Sequence, residues 1–464
     1  MRSPTALLVV LLASALAAPG ALGQAPPPTS APPASPSAPP RTQTPREAMR
    51  SEYEQLSALL ARKPTLTADD RATIQSLLTR IQAAIAAGSA DPMNYAMCAR
   101  LAGWIDDAAA EDKAYEGLLA VQPNNEVAAS QWIAAITKRG RYEQALGVAR
   151  NRYRDLTQMP RVAMAIAETL IAANRYEEAV ELLDSIGNIA GARADLGAKF
   201  VPLRQRAATL GAMWSAEQAK RIADEKEGQN AHVELITSKG TILIELYERE
   251  APAAAFSFVE LVDTGAYNGT RFHRRLPGFA VIGGDANTKP GATGRPGYGT
   301  VGWRIPDEGM RSDRRPAFGG TIGLCKALDP KSPTAAYLPK SAGSQFFFLL
   351  QPAEHLNEEI ANFTIFGRIL DGWDTVVNLE PGDELLAAQV VRRGSHEYKA
   401  VRDPDLPMPV EMSVPAQAVK PKPTQPPNQA ATPASGKPTK PAVIRGTVPP
   451  PVVPGPPPTT PPKP

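Results

Sequence analysis

The chain is poor in cysteine, with only Cys98 and Cys325 among 464 residues. Two thiols cannot build a disulfide framework. They lie in segments of different pattern, so both are expected to be free and buried. An excess of charge of either sign is missing too. Fifty Lys and Arg stand against 47 Asp and Glu, for a net charge of +3, which points neither to a nucleic-acid partner nor to a cation-buffering acidic surface. The apolar run from Ala6 to Ala18 is shorter than the roughly 20 residues a bilayer span needs, so no stable membrane span is expected. Behind Arg2 and ahead of small residues ending at Gly23, that run reads as a signal peptide over residues 1–23. Export to the periplasm or the exterior is therefore expected. No cysteine follows the small-residue site, so there is no acceptor for lipid modification.

Proline is scarce in the middle of the chain. Nine of the 48 prolines fall within Gln24 to Pro45 and 21 within Pro404 to Pro464. Both segments have almost no aromatic residues and cannot bury enough apolar surface to offset the cost of ordering. Residues 24–45 and 403–464 are thus expected to be a disordered linker and a disordered tail.

Between them the pattern is first helical. From Arg46 to Gly228 the chain is rich in Ala, Leu, Arg and Glu, and Gly140-Arg141-Tyr142-Glu143-Gln144-Ala145-Leu146 recurs 34 residues later as Asn174-Arg175-Tyr176-Glu177-Glu178-Ala179-Val180. Gly140 and Asn174 suit a left-handed turn between two helices. Trp132 and Ile166, and Ile136 and Leu170, repeat at the same spacing, and a third, degenerate copy covers Asp91 to Pro123 around Trp104, Ala114 and Leu118. The period resembles that of tetratricopeptide repeats, which implies a stacked helical array presenting a surface to a protein partner. Flanking helices should close the array, the last of them interrupted at Pro202.

At His232 the period changes to alternation. His232 to Thr237 and Thr241 to Leu246 read as two strands around a tight turn, and Ala251-Pro252 then opens a helix. Further on come Phe272-His273-Arg274-Arg275-Leu276-Pro277-Gly278-Phe279, Gly283-Gly284-Asp285, Gly320-Thr321-Ile322-Gly323-Leu324, Gly343-Ser344-Gln345-Phe346-Phe347 and Phe366-Gly367. In order and spacing these motifs resemble the cyclophilin family of peptidyl-prolyl cis/trans isomerases. The resemblance covers roughly His232 to Val391. It implies an eight-stranded antiparallel barrel capped by two helices over residues 229–402, following the helical region over 46–228.

Isomerising an X-Pro bond requires no nucleophile, metal or cofactor. It requires an apolar socket for the ring and a donor for the twisted amide. Arg274 is the candidate donor and by resemblance matches the family's catalytic arginine; Gln345 matches the glutamine that positions substrate backbone. Phe279, Phe347 and Leu356 match the socket. The departures are Ala280 for a methionine, Ile282 for a glutamine beside the arginine, Lys326 for a backbone-binding asparagine, Phe363 for a histidine, and His355 for the tryptophan associated with cyclosporin, which implies weak cyclosporin sensitivity. Cys325 lies beside the site as a small buried residue, and His273 has no partner that would make it a base. The segment from Ala327 to Lys340 is longer than the family's usual connection; its Tyr337 is either an exposed contact or packed on the barrel. Two readings result: an exported isomerase that assists folding of proline-containing clients, with its repeats docking a partner or client, or a weakly active or inactive scaffold that binds proline segments.

Overall fold

The computed structural model describes residues 44–417, apart from 64–65, 154, 333–335, 359–360 and 406–409. The expected signal peptide and most of both proline-rich segments lie outside the described residues. The first half is helical: α1 (Pro45–Leu60), α2 (Ala68–Ala86), α3 (Pro92–Trp104), α4 (Ala108–Val121), α5 (Glu126–Lys138), α6 (Tyr142–Arg152), α7 (Pro160–Ala172), α8 (Tyr176–Ala192) and α9 (Gly197–Glu227). Thr44 and Thr67 start α1 and α2 with capping boxes to Glu47 and Asp70, while Asp91, Asp107 and Asn125 accept first-turn amides of the next three. Each cap satisfies an amide that has no intrahelical partner.

The 34-residue period is visible in the backbone. Gly140 and Asn174 are left-handed, with φ of 80° and 59°, and so is Asp106, 34 residues earlier, at 61°. Ala145 and Ala179 are fully buried where helices approach, and Trp132, Ile136, Ile166 and Leu170 line the same core. In the degenerate copy Ala114 and Leu118 are buried, and Trp104 stacks on Tyr53 at 6.0 Å. Pro202 does not interrupt the last helix, contrary to expectation. It lies in the second turn of α9, where its ring forfeits one amide bond while some 25 later residues carry the helix on to the left-handed cap Gly228.

The second half contains β1 (His232–Thr237), β2 (Gly240–Leu246), α10 (Pro252–Asp263), β3 (Thr270–Arg271), β4 (Arg274–Leu276), β5 (Ala280–Gly283), β6 (Trp303–Arg304), β7 (Thr321–Leu324), β8 (Lys326–Ala327), β9 (Phe346–Leu349), β10 (Ile365–Asp371), α11 (Trp373–Val377), β11 (Glu384–Arg392), β12 (Asp403–Pro404) and β13 (Met412–Ser413). The main sheet has the order β3-β11-β1-β2-β10-β7-β9-β5-β4. Its two ends belong to one stretch of chain: Thr270–Arg271 pairs with β11 and Arg274–Leu276 pairs with β5. That stretch closes the curled sheet, so nine short strands make the eight-stranded barrel that the resemblance implies. Inside, Phe258, Phe346, Phe348 and Phe366 are fully buried. The N-terminus of α10 is held by buried Glu308, whose carboxylate accepts from the amides of Ala253 and Ala254 at 3.0 Å each.

The helical half and the barrel are packed together. Phe318, from the loop before β7, inserts into the helical core, edge-on to Trp214 at 4.8 Å and 5.9 Å from Tyr176. The repeat turns themselves dock on the barrel. Trp373 Nε1 donates to Gly140 O at 3.3 Å and its ring lies 5.7 Å from Tyr142, while Asn174 Nδ2 donates to Gly319 O at 2.9 Å. Arg315 is buried between the halves, donating to Glu217 and Asp224 of α9 and to Glu250 of the barrel.

Candidate active site

The turn between β4 and β5 depends on Gly278, left-handed at φ 71°. It sets Arg274 opposite Ile282 and Leu276 opposite Ala280. The next pairing sets Ile282 opposite Phe347, so one sheet face presents the arginine beside an apolar wall. Phe279, Ala280, Ile282, Cys325, Phe347, Leu356 and Phe363 form one buried group. Phe347 meets Phe363 edge-on at 6.2 Å, and His355 stacks on Phe279 at 5.9 Å. His355 and Leu356 come from a 3₁₀ turn, Glu354–Asn357. That turn is held by α9: Arg206 grips Glu354 at 2.8 and 3.1 Å and also donates to Pro352 O.

Two candidates sit differently from expectation. The Lys326 ammonium group is held by Asp307, at 2.9 Å, and faces the carbonyls of Ala361 and Asn362, 5.7 Å from the centre of the Phe363 ring. Burying an ammonium group demands such partners, so its donors are engaged within the fold while its backbone pairs with Ser413. Gln345 is fully buried; its Nε2 donates to Gly299 O at 3.1 Å, and its Oε1 has no partner among the described residues. Cys325 is buried, and burial pushes its thiol far above the usual range, which removes thiolate reactivity. Burial also lowers the His273 imidazole, against the opposing pull of Asp285. Tyr337 packs inward, edge-on to Phe363 at 5.0 Å, because Leu328 and Tyr337 pair across the long connection.

The sequence reading missed a strap. Residues from 403 onward were expected to be disordered, yet Asp403–Pro404 pairs with β6 and Met412–Ser413 pairs with β8. Val410, Met412 and Val414 join the socket's buried group. Arg274 Nη1 donates to Glu411 Oε1 and Ser413 Oγ, both at 3.0 Å. The signal for this was the alternation Val410-Glu411-Met412-Ser413-Val414.

A family model described as cyclophilin type peptidyl-prolyl cis-trans isomerase matches residues 232–393, and one described as tetratricopeptide repeat matches 137–198. Mouse peptidyl-prolyl cis-trans isomerase-like 1 is 37% identical over 144 residues, which are 31% of this chain and 76% of that protein. The chain belongs to the cyclophilin-type isomerase family. Peptidyl-prolyl cis-trans isomerase-like 2 of Cryptococcus neoformans is 31% identical over 186 residues, and the chain spans only 30% of that relative's length. A crystal structure of a Cryptosporidium parvum cyclophilin type isomerase is 25% identical and covers 35% of this chain and 99% of its own, with a TM-score of 0.29. The cyclophilin match ends before the strap begins.

Proposed function

We propose that this cyclophilin catalyses cis/trans isomerisation of X-Pro bonds in polypeptide clients. The observation that carries the reading is a single guanidinium, Arg274, at the edge of a buried socket formed by Phe279, Phe347, Leu356 and Phe363. Amide resonance opposes rotation with a barrier of about 18–20 kcal/mol. The socket holds the ring while the rest of the segment turns. As conjugation is lost the proline nitrogen regains a lone pair, and a fixed cationic donor stabilises it more than it stabilises the planar ground state. Gln345 shapes the groove floor, and the backbone of β8, paired with Met412–Ser413 in this structure, takes the client as an added strand when that segment is displaced.

The pattern of residues 1–23 supports action after export, in assisting folding of proline-containing proteins. The match to tetratricopeptide repeats supports a protein partner on the helical half, on surface other than the Gly140 and Asn174 turns that the barrel covers. A specific observation favours the rival reading of a weakly active scaffold. Ile282, opposite Arg274, offers no polar contact, and the hydrogen bonds of the guanidinium among the described residues go to the strap.

The test is exchange spectroscopy of a short Ala-Pro peptide with the full chain and with Arg274→Ala. A clear acceleration that is lost in the variant is expected. Equal exchange with both proteins would reject the mechanism.

A further inference from the structure

The groove beside Arg274 already holds a piece of this chain, and the piece lies as a client would. Met412 pairs with Ala327 and Ser413 with Lys326. Leu328 N donates to Glu411 O and Met412 N to Gly297 O, each at 2.8 Å. Ser413 is fixed by its hydroxyl on Arg274, and Pro415 by its carbonyl 2.8 Å from His355 Nε2. Val414 must therefore fall between them, and it is 2% exposed in the same apolar group as Phe279, Phe347, Leu356 and Phe363. It occupies the place of the proline ring. Glu411 lies three residues before it, paired with Arg274 at 3.0 Å and reached by the Tyr298 hydroxyl at 3.3 Å.

The bond entering the socket is thus Ser413–Val414, a secondary amide, for which the cis form costs about 2.5–4 kcal/mol. Pro415, whose preceding bond could isomerise readily, stands one residue too late. A segment that makes a substrate's contacts while presenting the wrong bond acts as a competitive inhibitor.

Building on the isomerase reading, we infer that residues 410–415 are a resident substrate mimic. Its contacts define the client class: extended segments with a carboxylate three residues before the proline and a small hydroxyl-bearing residue immediately before it. Such clients are turned over as they displace the strap. Three features support this class. Arg274 and Tyr298 converge on the Glu411 carboxylate, the Ser413 hydroxyl fits beneath the guanidinium, and the pairing along β8 requires an extended backbone.

The experiment uses the full chain. Met412→Asp/Val414→Asp puts two carboxylates into the apolar contact and should expel the strap; Glu411→Lys reverses the charge on the half-exposed rim and covers the case in which the double variant folds poorly. Turnover is measured by exchange spectroscopy, and affinity by titration, on acetyl-Val-Glu-Met-Ser-Pro-Ala-amide and on the same peptide with Lys in place of Glu. The strap variants should raise kcat/KM for the Glu peptide at least tenfold over the parent, mainly through KM. In the double variant the Lys peptide should be at least tenfold poorer. Equal kcat/KM for parent and both strap variants would overturn the mimic, and equal values for the two peptides in the double variant would overturn the client class. If no protein turns over either peptide, yet the strap variants bind the Glu peptide at least tenfold more tightly than the parent, the mimic stands and the isomerase reading falls.

Discussion

Removing the Arg315 guanidinium should uncouple the two halves of the molecule. Arg315 is 1% exposed. Its Nε donates to Glu217 Oε2 at 2.8 Å, Nη2 to Glu217 Oε1 at 3.2 Å and to Asp224 Oδ2 at 2.7 Å, and Nη1 to Glu250 Oε1 at 3.1 Å. The group also lies 4.2 Å from the centre of the Tyr247 ring. Arg315→Met keeps much of the stem and deletes all of these donors. Glu217 retains Arg221 at 2.8 Å, whereas Asp224 and Glu250 have no other ion pair among the described residues. Breaking a buried ionic cluster by removing one partner costs about 3–5 kcal/mol. An unfolding entropy of about 2.1 cal/mol/K per residue, over roughly 370 residues, converts about 4 kcal/mol into a midpoint lowered by about 5 °C. Because Glu217 and Asp224 belong to α9 while Glu250 and Tyr247 belong to the barrel, the loss falls on the contact between the halves. The parent should melt in one calorimetric transition, and the variant in two or in one visibly broadened. Arg315→Met/Asp224→Asn/Glu250→Gln should recover part of the loss by removing the stranded charges. A midpoint within 1 °C of the parent, with the transition shape unchanged, would refute the reasoning.

Other perturbations probe the site and the helical core. Ile282→Gln should raise peptide turnover or leave it unchanged, since it offers Arg274 a polar neighbour at similar volume; a folded variant tenfold slower, about 1.4 kcal/mol of lost transition-state stabilisation, would show that the position has another role. Ala179→Leu, at a fully buried helix contact, should overpack by about 1–3 kcal/mol, and an unchanged calorimetric midpoint would contradict the repeat packing. Burial pushes the Cys98 thiol up to about 11 and Cys325 further, so neither should react with an aromatic disulfide reagent at pH 8 until the chain is denatured, and rapid labelling of the native protein would place a thiol at the surface.

What could be read from the sequence followed from local constraint. Gly140 and Asn174 announced their turns because few residues tolerate a left-handed backbone, and the 34-residue spacing held even at Asp106, which had not been singled out. Phe272 to Phe279 and Gly343 to Phe347 specified the barrel because many neighbours constrain them at once. Contacts remote in sequence were not legible: nothing local to Arg315 or Phe318 says that each enters the helical half, nor that Arg206 supports the turn carrying His355. The partners of the Lys326 ammonium were not legible either, because a residue's place in a motif fixes its backbone and not the direction of a long cation. The strap was lost to averaging. The proline content of residues 403–464 suggested disorder, while the five-residue alternation that makes an edge strand occupied too little of the segment to alter its composition.

The pairing of Asp403–Pro404 with β6 has a consequence for how the groove is shared. Only residues 405–409 separate this fixed strand from Val410, so strap and groove meet at an effective concentration set by a short tether, of millimolar order. An intrinsic dissociation constant about tenfold below that concentration then leaves the groove roughly nine-tenths filled at any protein concentration, because the equilibrium is unimolecular. Dilution cannot clear it. Only a client's own concentration relative to its affinity changes the occupancy, so a crowded, client-rich compartment would find the enzyme open and a sparse one would find it largely self-engaged.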